Sequence, residues 1–537
     1  MTLLASASFA AETFRKSPIA PELGVDVLNR TVARERLGRD LFSNPYAAVT
    51  IGLVDVYSVF PYLEARTFEV VSDPRWNRLV YGEAGRTLRA FDGRGTTLGD
   101  LSQPRGLAVD DARRVYVADC GNDRIVVLQA STEFDEISLT PLYSIGGLSG
   151  PYDVAWSDGG TPFVSGDDVL YVADTGKNRV VAFALESAGA RQVAALGDLG
   201  SGPGCFAGPM AVATGRSEGA SSSDVYVADA HNRRIVRLQH DASGLHWLSD
   251  QPHDADVLTS LDADQWGNLY AAAPNRGVVR KFNAELAPVA ELRGGVSRPK
   301  SFHVPFLTVR DHRDGRTVRV GQPDGLLIED WSDASGAARW SLGVEVVDLA
   351  VVGGDQPTAH FTLTDHAELT LEVADASSGR TWSRRTLGPR EAGAHTIVLG
   401  AEDLRGAGGE LVLRVSAASG YEGGPSASAQ TRFSMSGGGG VPLPSQPSLM
   451  SNTPNPFTPA TRIAFLLPAN GAEGATLRVF DPAGRLVRRF DGGFSPGFNE
   501  VVWDGTNERG GRVSAGVYIY RLEMGGIALT RRMVLVR

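Results

Sequence analysis

The chain is short of cysteine, of basic charge and of long apolar runs, and each shortage removes a class of protein. Among 537 residues there are two cysteines, Cys120 and Cys205. Their spacing matches no zinc pattern and no histidine cluster joins them. Two isolated thiols are the plainer expectation. A single bridge stays open, because spacing alone does not set the geometry at sulfur. Acidic residues outnumber basic ones, 62 against 52, for a net charge of −10. A general nucleic-acid binder needs a basic face, and this balance argues against one. No apolar run reaches the roughly 18 residues of a membrane-crossing helix. Catalytic signatures are missing too: there is no Gly-x-Ser-x-Gly elbow, no His-Glu-x-x-His, no phosphate-binding loop and no EF-hand. The glycine run from Ala195 to Cys205 precedes a strand rather than a helix, so it is a connecting loop and not a phosphate cradle.

What is abundant is glycine, 63 residues, with 29 prolines. Such a chain turns often and favours short strands over long helices. At about 150 residues per domain, its length implies several domains. Near the N-terminus, Leu3 to Ala11 is a short run of apolar and small residues, and Ser8-Phe9-Ala10 is similar to a signal-peptidase site. No Lys or Arg precedes Arg15, so the positive segment of a signal is missing. Residues 1–44 are expected to be a leader that carries the remnant of a secretory signal.

One sentence is written three times. VYVADCGNDRIVVL begins at Val115, LYVADTGKNRVVAF at Leu170 and VYVADAHNRRIVRL at Val225, each 55 residues after the last. Alternate side chains of Val115-Tyr116-Val117-Ala118 point to opposite faces, as in a strand. Asp119 opens a polar turn and Arg124 restarts a strand, which makes a β-hairpin. Degenerate copies run over Arg78–Phe91, Leu269–Phe282 and Val318–Trp331. A further short strand, often after a proline, precedes most hairpins, beginning near Gln103, Gly150, Gly208 and Arg298. A sheet that is apolar on both faces cannot bury itself, but sheets stacked radially cover one another, and a closed ring leaves only short edges. The spacing predicts six blades between about Glu64 and Trp340, with Ala65–Leu79 supplying the inner strand of the first. Residues 45–70 are available for a first-to-last strand exchange that closes the ring.

These residues carry a resemblance. Pro-x-Gly-Leu-Ala-Val-Asp followed by Val-Tyr-Val-Ala-Asp-x-x-Asn-x-Arg-Ile is similar to the NHL repeat, which implies a β-propeller and leaves activity open. The copies at Leu269 and Val318 depart from it, with Ala273 and Val278, and Gln322 and Leu327, at the Asp and Arg positions. Asp119, Asp174 and Asp229 recur with Arg124, Arg179 and Arg234. Residues that serve every hairpin are expected to serve the hairpin, with Asp accepting turn N–H groups and Arg pairing with it, rather than to form a ring of ligands.

Nine histidines are scattered. His231 sits in a repeat turn. His303 lies on an inner strand, a place where some NHL-like lyases gather several histidines around a metal. Here the matching inner strands are read as offering Leu107, Val154, Val212 and Leu261, so no metal site is expected. Binding is the more economical function. The residues just after the strand-leading prolines vary from copy to copy, and Arg105, Tyr152, Asp153, Met210 and Lys300 are the candidates for a ligand surface at the mouth of the channel.

After Trp340 the pattern becomes alternating strands over about 90 residues, which suits a small β-sandwich. Ser436 begins a Gly-then-Pro stretch that reads as a linker. The last segment, from Ser451, closely resembles the C-terminal sorting domain of the type IX (Por) secretion system and the related immunoglobulin-like domain of the flagellar hook-capping protein. The matching features are Asn455-Pro456-Phe457, Asp481 with Gly484-Arg485, Trp503-Asp504-Gly505, Gly510, Ser514 with Gly516-Val517-Tyr518, and the pair Arg531-Arg532, where lysines are usual. The resemblance implies an address read by an outer-membrane translocon of a Gram-negative bacterium; a spacing or stabilising module is the alternative. Leu371–Arg385 aligns with Leu477–Arg489, so the middle domain reads as a worn copy of the last.

The expectation is an all-β chain: a leader over 1–44, a six-bladed β-propeller over 45–345, and two small Ig-like β-sandwich domains at 346–435 and 450–537, joined by the linker 436–449. Its function is binding of a protein or glycan partner at the secreted or outer cell surface, with secretion machinery as the tail's partner, no transmembrane segment and no cofactor. Two other functions stay open: a lyase or lactonase-like hydrolase holding Ca²⁺ or Zn²⁺ in the channel, and a purely structural surface protein.

Overall fold

The computed structural model describes residues 14–16 and, with breaks, 46–535; the longer breaks are 57–62, 160–165, 216–222, 293–298, 330–335 and 436–445. The chain is all-β: among the described residues the one α-helical segment is Ala401–Leu404. It divides into two compact units, one spanning Phe14–Leu342 and the other including Gly343–Arg537.

The first unit grows from the repeated hairpin. In the second sheet, Arg114–Asp119 pairs antiparallel with Arg124–Glu133 through a one-turn 3₁₀ segment, Cys120–Asn122. Pro104–Val109 lies on one side and Glu136–Ile145 on the other, giving four strands in chain order. The third sheet repeats this with Pro151–Ser157, Val169–Asp174, Arg179–Glu186 and Gly189–Leu196, and the fourth with Pro209–Thr214, Ser223–Asp229, Arg234–Asp241 and Gly244–Pro252. The fifth holds Ser260–Ala263, Leu269–Ala273, Val278–Phe282 and Pro288–Leu292.

Side-chain alternation explains why these sheets stand together. Val115 and Val117 pack in one core with Leu79 and Phe68 of the first sheet, whereas Tyr116 and Ala118 share a second core with Val154, Leu170 and Val172 of the third. Tyr171 and Ala173 then meet Val212 and Val225 of the fourth, and Tyr226 and Ala228 meet Leu261 and Leu269 of the fifth. A period of two puts successive residues on opposite faces, so both faces of the second, third and fourth sheets are buried against a neighbour. The first strands of successive sheets touch in order, and that of the sixth sheet touches that of the first.

Three sequence expectations need correction here. The inner strand of the first sheet is Ala48–Val56; the expected segment forms the second strand, Leu63–Asp73, and Arg78–Glu83 and Thr87–Phe91 are the third and fourth. The true copy of the repeated turn is therefore Asp73-Pro74-Arg75-Trp76-Asn77-Arg78, one strand earlier than Arg78–Phe91, and Arg78 Nε lies 3.2 Å from Asp73 Oδ2. The stretch Val318–Trp331 is not a hairpin. Arg316–Gly321 pairs with Phe306–Asp311, which runs parallel to Ala48–Val56, while Asp324–Glu329 belongs to the sixth sheet with Pro299–His303 and Gly336–Leu342. First and last segments pair twice: Ala48–Val56, within 45–70, runs beside Phe306–Asp311, and Phe14–Lys16, inside the expected leader, is the outer strand of the sixth sheet, with Phe14 opposite Leu342 and Lys16 opposite Trp340.

The second unit contains two modules of the same plan. In the first, Val346–Val352, Thr358–Leu363 and Gly393–Val398 form one sheet, and Thr381–Arg390, Ala367–Asp375, Gly409–Ser419 and Ala427–Met435 form the other, around one core. In the second, Ser448–Leu449, Thr461–Leu467 and Gly497–Trp503 face Leu486–Asp491, Thr476–Phe480, Gly516–Met524 and Ile527–Leu535. The strand order is identical in the two.

Candidate functional site

The repeated Asp and Arg form a closed local network. Asp119 Oδ1 accepts the N–H of Ser102 at 2.6 Å, and its Oδ2 accepts from Arg124 Nε at 2.7 Å. Asp174 does the same with Ser149 (2.6 Å) and Arg179 (2.7 Å), and Asp229 with Ala207 (2.7 Å) and Arg234 (2.8 Å). The arginines also donate to loop carbonyls, as Arg234 Nη2 does to Cys205 O at 2.9 Å. Each carboxylate is buried and fully engaged, so these residues tie a hairpin to the loop that leads into its own sheet. Cys120 and Cys205 are free, half-buried thiols. Burial pushes the Cys120 thiol upward, against the opposing pull of Arg105.

At this end of the first unit two of the candidate residues come together. Arg105 Nη1 donates to Tyr152 Oη at 2.6 Å, and its guanidinium lies 4.1 Å from the Tyr152 ring centroid, a cation–aromatic contact. Beside them stands Tyr46, from just before the first sheet. Its ring meets Tyr152 edge-on at 5.4 Å, and its hydroxyl donates to the carbonyl of Thr259, ahead of the fifth sheet, at 3.0 Å. Tyr46 thus touches the second, third and fifth sheets at once and is almost wholly buried. It stoppers the space between the first strands. Burial, then Tyr152, raises its phenol well above the ordinary range. No repeat pattern marks Tyr46, because it lies ahead of the first strand. Met210 and Lys300 are partly exposed and stand outside this cluster; the carbonyl of Lys300 accepts from Thr259 Oγ1 at 2.7 Å.

Asp153 points the other way, into a cavity of about 120 Å³ lined by the first strands of all six sheets. Its Oδ2 accepts the N–H of Val212 at 3.0 Å, and burial drives its carboxyl well above the usual range. His303 lines the same cavity, and its Nδ1 lies 2.7 Å from Asp262 Oδ2, which also takes the N–H of Val304 at 2.9 Å. Strand register corrects the alignment of this histidine. Leu107, Val154, Val212 and Leu261 share the row of Phe302, whereas His303 shares the row of Ala108, Ala155, Ala213 and Asp262. The same bulge follows Pro104, Pro151, Pro209 and Pro299, so counting from the proline already matches Phe302, and not His303, to Leu107, Val154 and Val212.

A Ca²⁺ or Zn²⁺ in the channel would have Asp153, Asp262 and His303 to draw on. Asp262 Oδ1 is taken by the N–H of Ala263 at 2.8 Å and its Oδ2 by His303 and Val304, while Asp153 caps Val212. Among the described residues, no three His, Cys, Asp or Glu side chains gather into a ligand set. The residues do not fit such an ion.

In the last module the motif residues are mostly turn and core positions. Phe457, Trp503 and Tyr518 pack on one another, with ring centroids 5.5 and 5.0 Å apart. Trp503 Nε1 donates to Thr506 O at 2.8 Å, and Tyr518 Oη to Ser514 O at 2.6 Å. Asp481 accepts from the N–H of Ala483 and Arg485 and from Arg485 Nε, with Gly484 in the left-handed region at φ 78°. Asp504 accepts from Thr506 across the Gly505 turn. Gly516 begins a strand, and Arg532 is half-buried in the strand after it. Arg531 donates to Leu449 O at 2.7 Å and pairs with Asp348 of the preceding module. Asn455 and Pro456 lie outside the described residues.

No helix among the described residues is long and apolar enough to cross a membrane. No curated protein sequence matches the chain significantly. Among solved structures, a gluconolactonase from Xanthomonas campestris is 13% identical, the match covering 62% of this chain and 95% of that one at a TM-score of 0.34. Virginiamycin B lyase from Staphylococcus aureus is 12% identical over 56% of this chain and 85% of that one, at 0.31. Hydrazine synthase of Kuenenia stuttgartiensis is 11% identical over 60% and 77%, at 0.25. At these scores the likeness carries nothing about activity. Two families match in part: the NHL repeat over residues 101–128, in the second sheet and its leading loop, and the FlgD Ig-like domain over residues 451–525, in the last module.

Proposed function

We propose that this is an exported binding protein of a Gram-negative bacterium, secreted or held at the outer cell surface. Its first unit is a six-bladed NHL-type propeller that engages a protein partner at the mouth formed by the repeated turns. Its two further modules are Ig-like sandwiches, the last serving export or anchoring. The observation that carries the binding reading is the stopper. With Tyr46 wedged against Arg105, Tyr152 and Thr259, this mouth offers a closed surface rather than a way in. A closed surface bearing a half-buried Arg–Tyr pair suits a macromolecule, since Arg and Tyr are favoured at the centres of protein interfaces.

The test is capture from the surface fraction of the native organism with the full chain and with an Arg105→Ala/Tyr152→Ala variant. A partner retained equally by both removes the mouth from the reading. A hit on a glycan array that the variant loses would replace protein by glycan. For export, residues 450–537 fused to a soluble reporter are expected to carry it outside in a host with type IX secretion; retention in the periplasm, as without the tail, rules the sorting role out and leaves a spacer.

One observation favours a second reading, lyase or lactonase-like chemistry in the channel. With Nδ1 on Asp262 and its ring among the residues lining the cavity, His303 has the orienting carboxylate that a general base needs. Turnover of a lactone panel abolished by His303→Gln would establish it.

A further inference from the structure

The cavity behind the stopper has polar atoms that nothing in the chain satisfies. Thr50 and Ser301 come from neighbouring first strands, those of the first and sixth sheets, and each side chain is within a few per cent of complete burial, at 3% exposure. Both line the cavity, and neither Thr50 Oγ1 nor Ser301 Oγ has a hydrogen-bond partner. His303 Nε2 is likewise unpaired. A buried polar atom without a partner costs about 1–3 kcal/mol, and all three belong to residues that line one cavity of about 120 Å³, within reach of a guest by a turn of a hydroxyl or ring.

We propose that this cavity is the binding site of a small, uncharged, hydroxyl-bearing ligand, held by Thr50, Ser301 and His303. Size follows from volume: a cavity of ~150 Å³ takes benzene, so one of about 120 Å³ takes about five non-hydrogen atoms, the size of a two- or three-carbon polyol. Hydrogen-bonding character follows from the partners. The two hydroxyls donate and accept, and the tautomer that gives its Nδ1–H to Asp262 presents His303 Nε2 as an acceptor. A polyol supplies both kinds of group. Charge follows from the walls. Asp110, Asp111 and Asp262 outnumber Arg113 in the lining and disfavour an anion, while Asp153 and Asp262 are committed to backbone N–H groups and His303, which leaves a cation poorly coordinated. The site lies behind Tyr46 and does not depend on what binds at the mouth.

Glycerol is the probe. Titrated into the full chain and followed by protein-observed NMR or calorimetry, it is expected to saturate one site per chain. Thr50→Val and Ser301→Ala are each expected to weaken it roughly tenfold, the loss of one buried hydrogen bond. Thr50→Ser, which keeps the hydroxyl, is expected to bind within about twofold of the parent, and an unchanged thermal midpoint shows that the variants are folded. Glycolate, of similar size and charged, is expected not to compete. The proposal is overturned if glycerol does not saturate, if Thr50→Val and Ser301→Ala bind it as the parent does, or if glycolate binds as well as glycerol; the cavity then holds water alone.

Discussion

Gly106 shows how far one residue depends on the sheet beside it. A Cβ built there falls 2.5 Å from the Cα of Asp153 and closer still to its carboxylate. In strand register, the same row carries Asp153, Ala211, Ser260 and Ser301 in the other sheets, so glycine answers to the aspartate next door rather than to a turn. Gly106→Ala is expected to destabilise the first unit by about 1–3 kcal/mol. In a double-mutant cycle by urea unfolding, the penalty should shrink when Asp153 is also alanine; an undiminished penalty would place the strain elsewhere.

A second residue-scale prediction concerns Asp168. Burial, then the nearby Asp110, raises its carboxyl to about 7, with Asp167 and Asp111 adding to the rise and Arg114, 3.6 Å away, opposing it. In the unfolded chain an Asp titrates near ~3.9. The folded state therefore binds the proton more tightly, and the stability this group contributes is full below about pH 4 and is lost as pH rises through about 7. Asp168→Asn should flatten that fall. Thermal midpoints at pH 5 and pH 8 are expected to differ less in the variant than in the parent.

At the scale of the element, the hairpin was the legible part, and its turn explains why. The residue before the restarting strand is left-handed in five copies: Asn77 (φ 51°), Asp123 (54°), Asn178 (51°), Arg233 (55°) and Gly277 (62°). In three of them the side chain reaches the next sheet, where Asn77, Asp123 and Asn178 accept the N–H of Gln103, Gly150 and Gly208 at 2.8, 2.6 and 2.9 Å. Turn chemistry of this kind survives drift, so Asp73 and Arg78 kept their spacing after the strand ahead of them had lost Val-Tyr-Val-Ala. Matching on strand letters instead of turn letters put the first copy one strand late. The sixth copy was misread for a different reason: the hairpin Phe306–Gly321 interrupts it and pairs elsewhere. His303 and Tyr46 were harder still, since His303 departs from the small residues of its row and Tyr46 lies outside the repeat. Asn178→Ala is expected to cost about 2 kcal/mol, one part for the hydrogen bond and one for the left-handed backbone. Asn178→Gly, which keeps the backbone at ease as Gly277 does, should cost about 1 kcal/mol less in chemical denaturation.

At the scale of the whole molecule, a ring of sheets that each depend on two neighbours has one weak seam, where the chain begins and ends. Here Phe14–Lys16 lies beside Gly336–Leu342 as the outer strand of the sixth sheet, so the first residues of the unit are bound to its last ones. Such a strand stabilises by removing an edge and by tying the two ends of the ring into one sheet, so that opening the seam requires breaking main-chain pairing as well as parting apolar faces. A chain starting at Ser17 loses the few backbone hydrogen bonds of three paired residues, worth about 0.5–1.5 kcal/mol each, while every core contact described above is left in place. Its first unit is expected to melt several degrees lower and to unfold faster, since the sixth sheet can then peel from the first without cost to its outer strand. The transition of the 343–537 unit should not move, which makes it an internal reference in the same calorimetric scan. A chain starting at Phe14 keeps the strand and should behave as the full chain does. If the two truncations melt together, ring closure does not rest on this strand, and the seam is held by the contact of the first and sixth inner strands and by the pairing of Phe306–Asp311 with Ala48–Val56.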